Sequence, residues 1–418
     1  MNSIAIHPRC NLDSLVTIPG SKSCTARALV MAGLTRGESV LRECADCDDS
    51  TYMIDGLRGL DVAITREGNT VTVGGGPFSR PDAPLFLGNS GTAVRFLAAA
   101  CATLDGEAVI DGTGRMRERP IRDLIDAMRA WGMDAITETG CPPVRIVSRG
   151  TFGGETTVKG DASSQYLTGL LMVAPCADRG ASIRIDGELV SKPYVDLTIA
   201  MMDERGVAVT NHEYSRFDVP SGQQYRSGDY AIEADASGAS YFFAAAAVAG
   251  GRVRVDNLAP TSHQGDVHFP RVLEQMGCGV KEGPHWIEVF SQGPLRGIDV
   301  DLNAMPDMAQ TLAVTALFAD GPTRIRNVHN LRIKETDRIA ATAAELRKLG
   351  ATVHEHDDGL EIIPPNSPRP AAIDTYDDHR MAMSFSLAGL RIPGIVINDP
   401  ACVSKTFPDF FERFGALR

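Results

Sequence analysis

No stretch of this 418-residue chain is apolar for long enough to cross a membrane; the longest, Tyr241–Ala249, falls far short of the ~20 residues a span needs. The opening residues, MNSIAIHPRCNLD, hold neither a basic n-region nor an apolar h-region, so no signal peptide is expected. There is no excess of positive charge: 41 Lys and Arg stand against 53 Asp and Glu, a formal net charge of −12. That balance argues against a general binder of nucleic acid, whose affinity rests on clustered cations, but leaves room for a local basic pocket. The nine cysteines are odd in number and scattered from Cys10 to Cys402, which fits reduced thiols better than a disulfide framework. Cys44-Ala-Asp-Cys47 has CxxC spacing without a second ligand pair or a thioredoxin-like context, and is read as coincidence. His354 and His356 share one side of a strand-like segment and are not read as a metal site. Ser-His-Asp triads, a Gly-x-Gly-x-x-Gly after a strand and the Gly-Lys-Ser/Thr of a P-loop are also missing. These absences point to a cytoplasmic protein that uses no metal and no cofactor.

What is present is regular. With 43% hydrophobic and 22% charged residues the composition is that of an ordinary globular protein, and the length suits two or three domains at roughly 100–200 residues each. Six segments pair a polar opening with a helix-length run of small apolar residues, starting at Ser21, Gly91, Ser163, Ser237, Asp307 and Asp378, at intervals of 70, 72, 74, 70 and 71 residues. An alternating, strand-like segment follows each, then a second, more amphipathic helix expected to end at Gly59, Gly132, Gly206, Gly277, Gly350 or Gly415. The period exceeds that of solenoids, so the expected fold is α/β, with two similar domains of three βαβαββ-type units each. Their small-residue helices should be buried on every side. The N-terminal segments SIAIHP and SLVTIPG are expected to complete the sixth unit, which places one domain at 21–232 and the other at 1–20 plus 233–418.

The chemistry collects at the helix openings. Pro19-Gly20-Ser21-Lys22-Ser23 with Arg27 sets hydroxyls and cations around a helix N-terminus, where free N–H groups favour anions. Read alone, Ser21 or Ser23 as an N-cap beside a solvated Lys22 explains the segment almost as well. Leu87-Gly88-Asn89-Ser90-Gly91-Thr92 and Ser163-Ser164-Gln165 open two further helices, each as easily an ordinary turn as a ligand seat. Asp307 at the fifth opening has the form of an N-cap. Arg115-Met116-Arg117-Glu118-Arg119-Pro120 and Asn330 to Arg338 are cation-rich loops at the same edge, with Lys334 and Arg338 expected on one helix face. Arg117, Arg119 and Arg332 are assigned to solvated surface. Asp378-His379-Arg380 and Ser404-Lys405-Thr406 add cations in the sixth unit. Cations recurring at one edge suggest a site for a small polyanion, and Asp307 and Glu335 among them suit proton transfer.

In this order PGSKS with Arg27, LGNSGT, RMRERP, SSQYLTGLLM, LVSKPY, IKETDR, DDHRMAM and SKTFPDFF resemble the 3-phosphoshikimate 1-carboxyvinyltransferase family, also called 5-enolpyruvylshikimate-3-phosphate synthases, from about Pro19 to Phe411. The resemblance implies two domains closing on the substrates, an active site in the cleft between them, and transfer of enolpyruvyl from phosphoenolpyruvate to the 5-hydroxyl of shikimate 3-phosphate, with small-molecule substrates and a monomeric enzyme. It implies that Lys22, Ser23, Arg27, Ser163, Ser164, Gln165, Ser191, Tyr194, Asp307, Asn330 and Lys334 hold shikimate 3-phosphate. It implies that Lys22, Gly91, Arg115, Gln165, Arg338, Arg380 and Lys405 hold phosphoenolpyruvate, and that Asp307, Glu335 and Lys22 are catalytic. Two departures stand out: Ala26 where many relatives carry Asn, and Phe96 where many carry Pro. Phe96 is expected to shift the Gly91 turn and alter sensitivity to glyphosate, the family's inhibitor at the phosphoenolpyruvate site. UDP-N-acetylglucosamine 1-carboxyvinyltransferases share the implied fold and donor, but carry Lys-Asn at the first motif and usually a cysteine in the loop matching RMRERP. A non-catalytic anion-binding relative would lack Asp307, Glu335 or Lys22, and all three are present.

Overall fold

A computed structural model describes residues 2–418. The chain divides into two compact units, Gly20–Ile232 and Met1–Pro19 with Glu233–Arg418. Both are mixed α/β, as the period predicts.

Within Gly20–Ile232, three four-stranded sheets repeat one pattern: a parallel pair extended by an antiparallel hairpin. In the third, Gly154–Lys159 runs parallel to Ala181–Asp186, which pairs antiparallel with Arg216–Val219 and through it with Thr210–His212. The second sheet follows suit, with Leu85–Phe86 parallel to Asp105–Asp111. The first sheet takes its parallel edge strand from the far end of the unit, Asp229–Ala231, beside Gly37–Arg42.

The other unit closes in the same way but corrects one expectation. Ser3–Ala5 does complete the sixth unit's sheet, antiparallel to Val396–Asn398. Leu12–Val16 instead runs parallel to Gly251–Val255 and is the opening strand of the fourth. The two N-terminal segments are six residues apart, and Asn11 between them is left-handed at φ 51°, so they turn into different sheets. The middle sheet has Asp299–Asp301 parallel to Thr323–Arg326, backed by Gly359–Ile363 and Thr352–His356.

The small-residue helices are the cores. Every residue of Gly91–Ala100 and of His379–Gly389 is buried, as is every residue of Ala236–Ala249 except Ser237. Small side chains are needed because the helices nearly touch: a Cβ on Gly169 would lie 3.1 Å from the Ala99 Cβ and 3.2 Å from the Arg95 carbonyl oxygen. Hydroxyls on three such helices satisfy one another, Thr311 Oγ1 lying 3.5 Å from Ser240 Oγ and 3.3 Å from Ser384 Oγ. Amphipathic helices such as Arg122–Ala130 bury one face only. Of the six glycines expected to end the second helices, Gly132, Gly206, Gly277 and Gly350 are left-handed, with φ from 83° to 109°. Gly59 and Gly415 are instead the last residues of their helices, and after Gly59 Asp61 takes the positive φ. No described helix is long and apolar enough to cross a membrane.

Candidate functional site

In the Gly20–Ile232 unit, Ser21 caps the Lys22–Leu34 helix by accepting from Cys24 N, which frees Lys22 and Ser23 to lie half-buried at its opening. Lys22 Nζ meets the buried Asp49 carboxylate at 3.4 Å. One turn on, Arg27 is buried and donates to Thr198 Oγ1 at 2.8 Å, Ser23 O at 2.9 Å and Tyr194 O at 3.1 Å. All three acceptors are neutral, and burial pulls the guanidinium pKa down to about 10. Tyr194 and Thr198 belong to the Lys192–Glu204 helix, entered through Ser191 in a left-handed conformation at φ 56°.

Ser90 and Ser163 cap the Gly91–Ala100 and Ser164–Val173 helices, accepting from Ala93 N and Gln165 N. Gln165 links the two, its Oε1 accepting from Arg95 at 2.5 Å and its Nε2 donating to Thr92 Oγ1 at 3.3 Å. Ser164 is buried. Arg119, expected on solvated surface, is buried: it donates to the Asn89 backbone and side-chain oxygens at 3.1 and 3.2 Å, and a Cβ on Gly91 would lie 2.6 Å from its NH2 nitrogen. The Pro120 that follows turns the chain inward, and its carbonyl accepts from both Arg95 and Tyr166. Arg117 does lie outside, paired with Asp111, and Arg115 pairs with the exposed Glu118 at 2.8 Å.

The other unit gathers Asp307, Glu335, Arg338, Arg380 and Lys405 into one network. Asp307 sits in the Pro306–Met308 turn and does not cap the helix that follows. Its two oxygens are held separately, Oδ1 by Arg338 at 3.0 Å and Oδ2 by Arg380 at 2.8 Å. Arg338 also donates to Glu335 at 2.8 Å and to both oxygens of Asp378 at 2.6 and 3.1 Å. Burial opposes its charge, but Asp378, Glu335 and Asp307 outweigh that, and its pKa is raised. Glu335 lies 3.9 Å from Lys405 Nζ. Asn330 is buried on the His329–Ile333 turn, with Lys334 half-buried just after it. Lys334 does not share a helix face with Arg338: Asp337 caps the Arg338–Lys348 helix by accepting from Ala340 N, so the helix starts four residues after Lys334. Arg332, expected to be solvated, is partly buried and bonds Asp337 and two carbonyls.

With both clusters in view, comparison with known sequences is decisive. A sequence model of EPSP synthase (3-phosphoshikimate 1-carboxyvinyltransferase) matches residues 6–414. The chain belongs to the EPSP synthase family. The 3-phosphoshikimate 1-carboxyvinyltransferases of Marinomonas sp. (strain MWYL1) and Shewanella sediminis (strain HAW-EB3) are 48% and 49% identical to it, with all of each chain covered. A solved EPSP synthase from Acinetobacter baumannii superposes with a TM-score of 0.80 at 25% identity, covering 99% of this chain and 97% of that one. The enolpyruvyl transferase NikO from Streptomyces tendae, at 18% identity, 99% and 97% coverage and the same TM-score, shares the fold.

Four further side chains, none marked as a candidate by the sequence, engage or neighbour these site residues. Asp378 anchors Arg338 and caps the His379–Gly389 helix. Asp49 pairs with Lys22. Tyr241 accepts from Arg380 at 3.3 Å. Asp266 is buried and bonded to Ser237 Oγ, and burial, then the charge of Asp307, push its pKa up to about 6. Asp378 and Tyr241 lie in the openings and helices of the repeat, whereas Asp266 sits in the short Gly265–His268 turn outside every motif. Phe96 lies fully buried with its ring 5.4 Å from the Arg27 guanidinium, so it supports Arg27 as well as the helix behind Gly91. Burial raises the thiols of Cys44 and Cys47 to about 12 and about 11, which makes both poor nucleophiles, and all nine cysteines are free. Among the described residues no group of His, Cys, Asp and Glu could hold a metal ion.

Proposed function

We propose that the chain transfers the enolpyruvyl group of phosphoenolpyruvate to the 5-hydroxyl of shikimate 3-phosphate, releasing phosphate. The observation that carries this reading is the Asp307 carboxylate, each oxygen fixed by a different arginine, with Glu335 on the same guanidinium. Two anionic substrates need cations to bring them together, and a hydroxyl nucleophile needs a base held in place.

Asp307 takes the proton of the 5-hydroxyl as that oxygen attacks C2 of phosphoenolpyruvate, while Glu335 or Lys22 protonates C3. The tetrahedral intermediate then breaks its C2–O bond to phosphate and returns a methyl proton to a carboxylate, restoring the double bond. Lys22, Ser23, Arg27, Ser163, Ser164, Gln165, Ser191, Tyr194, Asp307, Asn330 and Lys334 hold shikimate 3-phosphate. Lys22, Gly91, Arg115, Gln165, Arg338, Arg380 and Lys405 hold phosphoenolpyruvate. Support for the first set comes from Arg27, a buried cation whose bonds run to neutral acceptors and which can still take an anion's charge. Fixed dipoles and cations stabilise the charged intermediate more than they would in water. The test is purified protein given both substrates, with phosphate release measured; no release above background from folded protein overturns the reading.

A further inference from the structure

The turn entering the His379–Gly389 helix is left-handed at two successive non-glycine residues, Tyr376 and Asp377, both at φ 54°. Side chains resist that conformation, and it persists only where surrounding structure imposes it. The turn is bonded on its upstream side by Glu345, a fully buried carboxylate two turns along the Arg338–Lys348 helix with no place in the chemistry above. Its Oε1 accepts from Tyr376 Oη at 2.7 Å, its Oε2 accepts from Asp374 N at 3.1 Å, and Lys348 Nζ lies 2.8 Å away. Lys348 and Asn398 also grip the Asp374 side chain, at 2.7 and 2.8 Å.

Beyond the strained pair the chain delivers Asp378, whose N–H donates to Thr375 O at 2.9 Å and whose carboxylate takes Arg338 and accepts from Arg380 N. One helix therefore grips the turn twice, at its downstream end through Arg338 and at its upstream end through Glu345. We infer that Glu345 and Tyr376 are positioning residues that hold the turn in register, so that Arg338 and Arg380 meet Asp307 and the phosphoenolpyruvate end of the site. The assignment of those arginines to phosphoenolpyruvate rests on the reading above. A purely structural tie predicts lost stability without a bias between substrates. A positioning role predicts that bias.

The test uses the full-length protein carrying Tyr376→Phe or Glu345→Gln. Tyr376 is 42% exposed, so Tyr376→Phe removes one hydroxyl without opening a cavity in the core, and a thermal melt of the variant checks that it folds. Varying each substrate in turn should show KM for phosphoenolpyruvate raised about five- to tenfold by Tyr376→Phe, with KM for shikimate 3-phosphate within about twofold. Glu345→Gln should act in the same direction and more strongly. Hydrogen exchange at the amides of 378–381 reads the turn whether or not the wild type turns over, and should quicken in both variants. Wild type without activity defeats the functional reading alone. Unaltered exchange, or both KM values unchanged or raised in step, overturns the positioning role.

Discussion

Arg27 and Arg338 are equally buried arginines, one in the middle of its helix and one at the start, yet they are compensated in opposite ways. Arg27 donates to a hydroxyl and two carbonyls and has its pKa lowered by burial; Arg338 is encircled by three carboxylates and has its pKa raised. A buried cation with neutral neighbours has its charge still to spend, and is suited to a ligand anion. One encircled by carboxylates also orders the groups around it, whatever further anion it meets. In the proposed function, the Gly20–Ile232 unit therefore adds a buried cation with neutral partners, and the other unit adds cations already ordered around Asp307 and Glu335.

The sharpest way to break this contrast is at Asp307. Asp307→Ala should lower kcat by about 10²–10⁴-fold in steady-state assays, the usual loss for a general base. Unchanged turnover would refute its role. Arg338→Gln comes next: it leaves Asp307, Glu335 and Asp378 without their shared counter-charge and should cost about 3–5 kcal/mol in a denaturant titration. Arg27→Met should cost no more than about 1.5 kcal/mol by the same measurement, because no carboxylate is stranded. An equal loss in the two arginine variants would erase the distinction.

The smallest effect belongs to Asp266, whose carboxyl is raised from 3.8 to about 6 in the folded protein. The native state then holds more protons than the unfolded state between those values, so this group makes stability fall as pH rises from about 4 to about 6. Asp266→Asn removes that dependence. The Tm difference, variant minus wild type, should become more positive across that window, and a difference independent of pH would contradict the assignment.

The repeat is legible because the helix openings recur every 70–74 residues and five of the six carry a side-chain cap: those five helices begin within one residue of the position expected from sequence. The fifth enters through the Pro306–Met308 turn instead, since Asp307 is engaged by two arginines. Motif residues were legible for the same local reason. What stayed hidden is pairing at long range, such as Arg338 with Asp378 forty residues away, or Asp266 beside Asp307, because no local pattern encodes which carboxylate a buried cation meets. Arg119 was misplaced because a charge run reads as surface until the fold shows Asn89 and Gly91 waiting for one member of it. Leu12–Val16 was misplaced because two adjacent strand-like segments carry no mark of their sheet.

The division of labour is tested most directly by titrating shikimate 3-phosphate calorimetrically into wild type, Arg27→Met and Asp307→Ala. Binding should weaken about 10- to 100-fold in Arg27→Met, the worth of a charge-assisted contact, and no more than about tenfold in Asp307→Ala, which loses a single hydrogen bond to a neutral hydroxyl. Wild-type affinity in Arg27→Met, or equal losses in both variants, would contradict that division.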